Sequence, residues 1–212
     1  FIVAQGGEYL KHFPRAISIG VRLLDAVVDA LHRHNDRTAL LTYRALYNTV
    51  NSRLDQIAFS IAEKIQTDGY RAYPIPASQT VDQERLLGTV SHKLVAHLSG
   101  LGWIGKSCLL ITPECGPRVR FATVMTDAPL KTGSPIPNRC GECRRCVEVC
   151  PPKALTGVTF NASEHRDVRF KAHLCEQYMK QREERLGEGL CGLCVYICRY
   201  GKRETTCESR PP

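Results

Sequence analysis

From Tyr43 onward, Leu46, Tyr47, Val50, Leu54, Ile57, Ile61 and Ile65 recur with the period of one helix face, and Asp68-Gly69 ends the pattern. The spacing predicts one long helix. In "RAISIGVRL" the apolar residues Ile17, Ile19, Val21 and Leu23 alternate instead, which predicts a strand. "YRAYPIPAS" reads as a strand interrupted by prolines, and "PRVRFATVMT" as a strand with Val119 and Phe121 on one face. Leu87, Val90, Leu94 and Leu98 return to helical spacing, with His92, Lys93 and His97 as the polar positions between them. "CLLITPECGP" follows as a short strand stopped by Pro113 and Gly116. Helices and strands mixed in this way predict an α+β chain, layered as α/β in its first part.

The pattern lapses in "TDAPLKTGSPIPN", Thr126 to Asn138, where three prolines and a glycine interrupt any apolar period. We expect a linker there, dividing a first module over residues 1–134 from a second over 135–212. The 212 residues, 43% of them hydrophobic, suffice for one substantial core and a small second module. No run of eighteen apolar residues occurs, and the N-terminal stretch lacks a basic start and a small-residue cleavage pattern, so a soluble protein with no membrane partner is expected. The missing initiator Met reads as a trimmed N-terminus. The formal charge of +8 comes from scattered arginines without a long cationic block, which reads as a solvated surface.

"GLGWIGKS", Gly100 to Ser107, matches the phosphate-loop pattern letter for letter. Such a loop needs a strand before it and a helix after it, so that the helix N-terminus meets the phosphates. Here a helix enters and a strand leaves. The context excludes nucleotide binding and leaves a glycine turn that lets the backbone approach something closely.

Eleven cysteines are the compositional anomaly. "CGECRRCVEVCP" places Cys140, Cys143, Cys146 and Cys150 in C-x2-C-x2-C-x3-C-P, the ferredoxin run in which three thiolates hold one [4Fe-4S] cube and the fourth reaches another. The remaining ligands are available in Cys175 and in "LCGLCVYIC", with Cys191, Cys194 and Cys198. Crossed assignment gives Cys140, Cys143, Cys146 and Cys198 to one cluster, and Cys150, Cys175, Cys191 and Cys194 to the other. Structural zinc favours paired hooks a dozen or more residues apart, and a disulfide framework belongs to oxidising compartments. Cys108, Cys115 and Cys207 read as ordinary thiols. Arg144 and Arg145 beside the first run would offset cluster charge or steer an acidic redox partner. Oxygen-sensitive clusters point to a reducing cytoplasm.

The block from "SGLGWIGKS" to "TDAPL", then "CGECRRCVEVCPPKAL" and "LCGLCVYIC", resembles epoxyqueuosine reductase and its relatives, including the iron-sulfur part of reductive dehalogenases. The resemblance implies a reductase-like module followed by a ferredoxin-like module with two [4Fe-4S] clusters. It implies a cobalamin against the first module, with Gly100, Gly102, Trp103, Gly105 and Lys106 near it and one cluster, the one containing Cys198, facing that module. For the namesake enzyme it implies an epoxide-bearing tRNA nucleoside as substrate. Relatives of that type carry a "VDSAP"-like segment whose Asp is thought to donate a proton. Here "IPASQ" stands in its place, with Ala77 and Ser78 where Asp-Ser would fall and Asp82 or Glu84 as the nearest acids. His92 and His97 lie five apart on a helix, diverge, and read as surface or capping residues. The first expectation is thus an iron-sulfur electron-transfer protein with a redox partner protein as donor. The alternatives are a complete cobalamin-dependent reductase of a small molecule or nucleoside, and a tRNA-binding epoxyqueuosine reductase.

Overall fold

The computed structural model describes residues 8–202. Its elements in chain order begin with β1 (Arg15–Arg22), the short α1 (Asp25–Asp29), the long α2 (Arg37–Thr67) and β2 (Ala72–Ile75). Then come α3 (His92–Leu98), β3 (Trp103–Ile104), β4 (Leu110–Ile111) and β5 (Val119–Thr126). The cysteine-rich part adds α4 (Arg145–Glu148), α5 (Ala172–Leu186) and α6 (Leu193–Tyr196).

β5 is the centre of a three-stranded antiparallel sheet of order β1-β5-β2, with Ile19 opposite Ala122 and Pro74 opposite Val124. Being central, it is buried on both faces from Phe121 to Thr126, which explains its unbroken apolar run. Ala122 and Val124 point into the main core with α2, whereas Phe121, with Val119 beside it, packs against Leu94, Ile104 and Leu110 on the other side. β2 tolerates Pro74 because it is an edge strand.

α2 starts six residues before the apolar period suggests. Asp36 caps it, accepting from the Thr38 and Ala39 backbone N–H at 2.8 and 3.1 Å. α3 is shorter than the spacing from Leu87 predicts. Leu87 pairs with Asp82 across a tight loop, and the helix begins only after Ser91, whose hydroxyl accepts from the Leu94 N–H.

The end of α3 decides the meaning of the glycine turn. Leu101 N–H bonds back to Ala96 O and Gly100 N–H to His97 O, with Gly100 at φ +82, which is a helix C-terminal cap. The turn therefore presents the carbonyl end of a helix, unsuited to phosphate. A Cβ on Gly102 would stand 2.3 Å from Ile111 O, so glycine there lets β3 lie against β4.

The linker folds back over this corner: a Cβ on Gly133 would meet Ser99 O at 2.2 Å. The main core includes Val195 from α6, with Leu186, Leu190 and Cys194 packed against it, alongside Leu31, Tyr43 and Leu54. Gly192, at φ +70, presses on Leu31 and Tyr43. Arg44 forms a two-pronged ion pair with the buried Glu188 at 2.8 and 2.6 Å, and Arg182 donates to His34 O at 2.5 Å. The cysteine-rich segment is thus built onto α2 and shares its core.

Candidate iron-sulfur site

The first cysteine run makes a tight loop, with Gly141 at φ +51 and Cys143 N–H bonded to Cys140 O, before α4 carries Cys146. Cys198 arrives from the end of α6, and the four thiols line one opening with Lys106, Ser107, Ile111, Arg145, Arg199 and Tyr200. Burial, and then the neighbouring Cys140, Cys198 and Cys143, push the Cys146 thiol up to about 11. Burial also raises the Cys198 thiol, while the backbone N–H groups of Tyr200 and Gly201 act the other way.

Cys150 leaves this group. It neighbours Cys175, near the start of α5, and Cys191; burial, followed by Cys191 and Cys150, pushes the Cys175 thiol up to about 11. The Cys194 thiol is raised by burial and then by Cys191, Cys175, Cys150 and Cys146. The structure therefore brings together Cys140, Cys143, Cys146 and Cys198, and separately Cys150, Cys175, Cys191 and Cys194. The two groups adjoin where Cys146 approaches Cys194.

Thiols crowded this way cannot all ionise unless a cationic centre joins them. Among the described residues, no three Cys, His, Asp or Glu side chains converge on a point that one metal ion would occupy. Four sulfurs spread around an opening fit a polynuclear centre with four corners, which is the donor chemistry of a [4Fe-4S] cube.

The glycine turn walls the first group. A Cβ on Gly105 would sit 3.3 Å from Cys140 Sγ, and Lys106 Nζ donates to Gly141 O at 2.6 Å. Trp103, 1% exposed, meets Tyr200 edge-on at 4.9 Å, with the Arg139 guanidinium 5.7 Å from its ring. Gly100 and Gly102 lie one layer behind, against Ser134 O and Ile111 O. These contacts hold the turn in place. Lys106, Arg199 and Tyr200 are site-lining residues whose roles come from contacts far apart in sequence.

The "IPASQ" segment lies elsewhere. Ala77 N–H donates to Asp55 at 2.8 Å, and Ser78 Oγ is 2.9 Å from Tyr47 Oη. Asp82 caps its own loop through Arg85 N–H, and Glu84 is exposed beside it. His92 Nε2 donates to Pro76 O at 3.0 Å, leaving Nδ1 to accept from Thr123 Oγ1 at 2.8 Å, and burial holds its pKa down. His97 Nδ1 reaches Gly102 O at 3.0 Å, so both histidines brace backbone. Cys108 is buried and Cys115 half-buried, both outside the thiol groups, and Cys207 lies outside the described residues. No helix among the described residues is long and apolar enough to cross a membrane.

Residues 139–201 match the family model described as a 4Fe-4S double cluster binding domain. Both four-thiol groups fall inside that span, so the cysteine-rich part is similar to double-cluster iron-sulfur domains. More particularly, the chain is similar to epoxyqueuosine reductases. It is 40% identical over 122 residues to the epoxyqueuosine reductase of Bacillus anthracis, covering 54% of this chain and 30% of that protein. The chain spans about a third of the length of the curated relatives it matches. In fold it is similar to a reductive dehalogenase whose structure is described as suggesting a mechanism for B12-dependent dehalogenation (TM-score 0.66, 19% identity, 90% of this chain and 26% of that one). It is also similar to the epoxyqueuosine reductase of Bacillus subtilis (TM-score 0.52, 20% identity, 88% of this chain and 48% of that one).

Proposed function

We propose that this chain holds two [4Fe-4S] clusters and relays electrons through them to a reductase centre. Cys140, Cys143, Cys146 and Cys198 are the ligands of the first, and Cys150, Cys175, Cys191 and Cys194 of the second. The observation that carries the reading is the crossing of Cys150 out of its own run into the company of Cys175, Cys191 and Cys194. When bound, such clusters store and pass single electrons at low potential. The chain's own residues fix the sulfurs. Lys106 ties down the Cys140–Cys143 loop through Gly141 O, and Glu188, accepting from Leu190 N–H at 2.7 Å, anchors the approach to Cys191. Residues 8–134 form the scaffold, with residues 135–202 built onto it as the ferredoxin-like module. Anaerobic reconstitution tests this: two cubes' worth of bound iron and sulfide are expected, and a single cluster or none would refute it.

A second reading, a cobalamin-dependent reductase, is favoured by the fold likeness to the B12-linked dehalogenase. In that reading Gly100, Gly102, Trp103, Gly105 and Lys106 would lie near the corrin, as the family resemblance implies. Titration with cob(II)alamin tests it, a changed cobalt EPR signal being the positive result. A nucleoside of tRNA as substrate rests on the curated likeness. It predicts tRNA binding that weakens steeply with salt.

A further inference from the structure

The two thiol groups sit differently in the fold. In the second, the partly buried Cys194 packs against the main core. The first lies beneath an opening whose rim carries Arg145 and Arg199, with Arg139 beside it. All three arginines are exposed, and among the described residues none has a carboxylate partner. Stacking and carbonyl contacts hold two of them in place. The Arg139 guanidinium lies 5.7 Å from the Trp103 ring, and Arg199 lies 5.1 Å from the Tyr200 ring while donating to Arg139 O at 3.3 Å. Tyr200 Oη donates to the same carbonyl at 2.6 Å. The charges are positioned without being neutralised.

We propose that this arginine rim over Cys140, Cys143, Cys146 and Cys198 is the docking face for an acidic electron-carrier protein. The proposal rests on the two-cluster reading and adds the partner's chemistry and the place where electrons arrive. Guanidinium groups pair with carboxylates in two-pronged fashion, which orients a protein surface as well as attracting it. Arg139 and Arg199 are already organised by their stacking, so little side-chain freedom is lost on docking. A nucleic acid is the poorer fit, because Glu142 and Glu148, exposed on either side of Arg145 in the sequence, bring negative charge to the same cysteine run. A phosphate backbone would be repelled there, whereas a protein partner can meet those acids with a lysine. One electron passes from the reduced carrier to the first cluster, so the carrier is oxidised by one and the cluster reduced by one.

The test uses the full chain, reconstituted anaerobically, with stopped-flow mixing against reduced plant-type [2Fe-2S] ferredoxin as the acidic carrier. Methyl viologen radical cation is the small reductant for comparison. Ferredoxin-driven reduction should slow roughly tenfold or more between about 0.05 and about 0.5 M salt, while viologen-driven reduction does not slow. Combining Arg139→Gln with Arg145→Gln should lower the ratio of ferredoxin-driven to viologen-driven rate about tenfold at low salt, both rates being expressed per bound iron. Arg139→Lys with Arg145→Lys should restore most of the rate, which lost packing alone would not do. Rates indifferent to salt, or a double-glutamine variant as fast as the parent, would overturn the docking face. So would a short RNA duplex that displaces ferredoxin and loses its own binding in the same variant. Failure to take up iron and sulfide would instead sink the two-cluster reading and this proposal with it.

Discussion

Replacing Arg44 by Met isolates the ion pair that fastens the cysteine-rich segment to α2. Glu188, with 6% of its side chain exposed, receives both Arg44 hydrogen bonds and the Leu190 N–H, and Arg44 itself keeps 35% exposure. Removing one partner of a buried pair costs about 3–5 kcal/mol. Because a third of Arg44 already meets water, the lower end, about 3 kcal/mol, is expected here. Burial opposes ionisation of Glu188, but Arg44 and the backbone N–H groups outweigh it and hold its pKa below the usual glutamate value. A depressed carboxylate pKa stabilises the fold above the unfolded value and loses that contribution as pH falls through the folded one. In Arg44→Met the Glu188 pKa rises, so the stability gap between parent and variant should narrow as pH falls from the variant's raised pKa through the usual glutamate range to the parent's lowered one. Anaerobic urea unfolding of parent, Arg44→Met, Glu188→Gln and the double variant, at neutral and acid pH, measures this. The double variant should cost less than the sum of the singles. A loss under about 1 kcal/mol for Arg44→Met, or a gap that does not change with pH, would refute the reasoning.

Further outcomes follow from other contacts. Gly102→Ala should remove soluble protein or cost more than about 3 kcal/mol, since its Cβ meets backbone at 2.3 Å; expression and a melting curve report it. Lys106→Met should loosen the first cysteine loop and speed loss of its cluster, without affecting nucleotide binding, for which none is expected in parent or variant by equilibrium dialysis with ATP. Cys150→Ser should halve cluster content and spare the first cluster, read by iron analysis and EPR. His92, held neutral by burial, should contribute stability that declines as pH falls below about 6.5, and Thr123→Val should diminish that dependence.

Local chemistry made the long helix, the central strand and the two cysteine runs legible in the sequence. The periods of α2 and β5 survive because each packs against one continuous partner surface. The start of α2 precedes its apolar period, which begins only at Tyr43, although Asp36 is a readable cap. The helical spacing that would carry α3 back to Leu87 is coincidental, because Leu87 bonds across the loop to Asp82. The letters at Gly100–Ser107 stand between a helix and a strand, the reverse of a phosphate loop's order. What they do instead, capping α3 and walling Cys140, depends on contacts with Ile111, Ser134 and Gly141 that no local pattern encodes. Nor does any periodicity reveal Arg44–Glu188, whose partners lie far apart along the chain.

The most direct measurement is Mössbauer and EPR spectroscopy of anaerobically reconstituted protein alongside Cys150→Ser and Cys198→Ser. The account predicts two [4Fe-4S] clusters in the parent, with each substitution disturbing a different one, Cys198→Ser the first and Cys150→Ser the second. A single cluster in the parent, or both substitutions altering the same cluster, would contradict it.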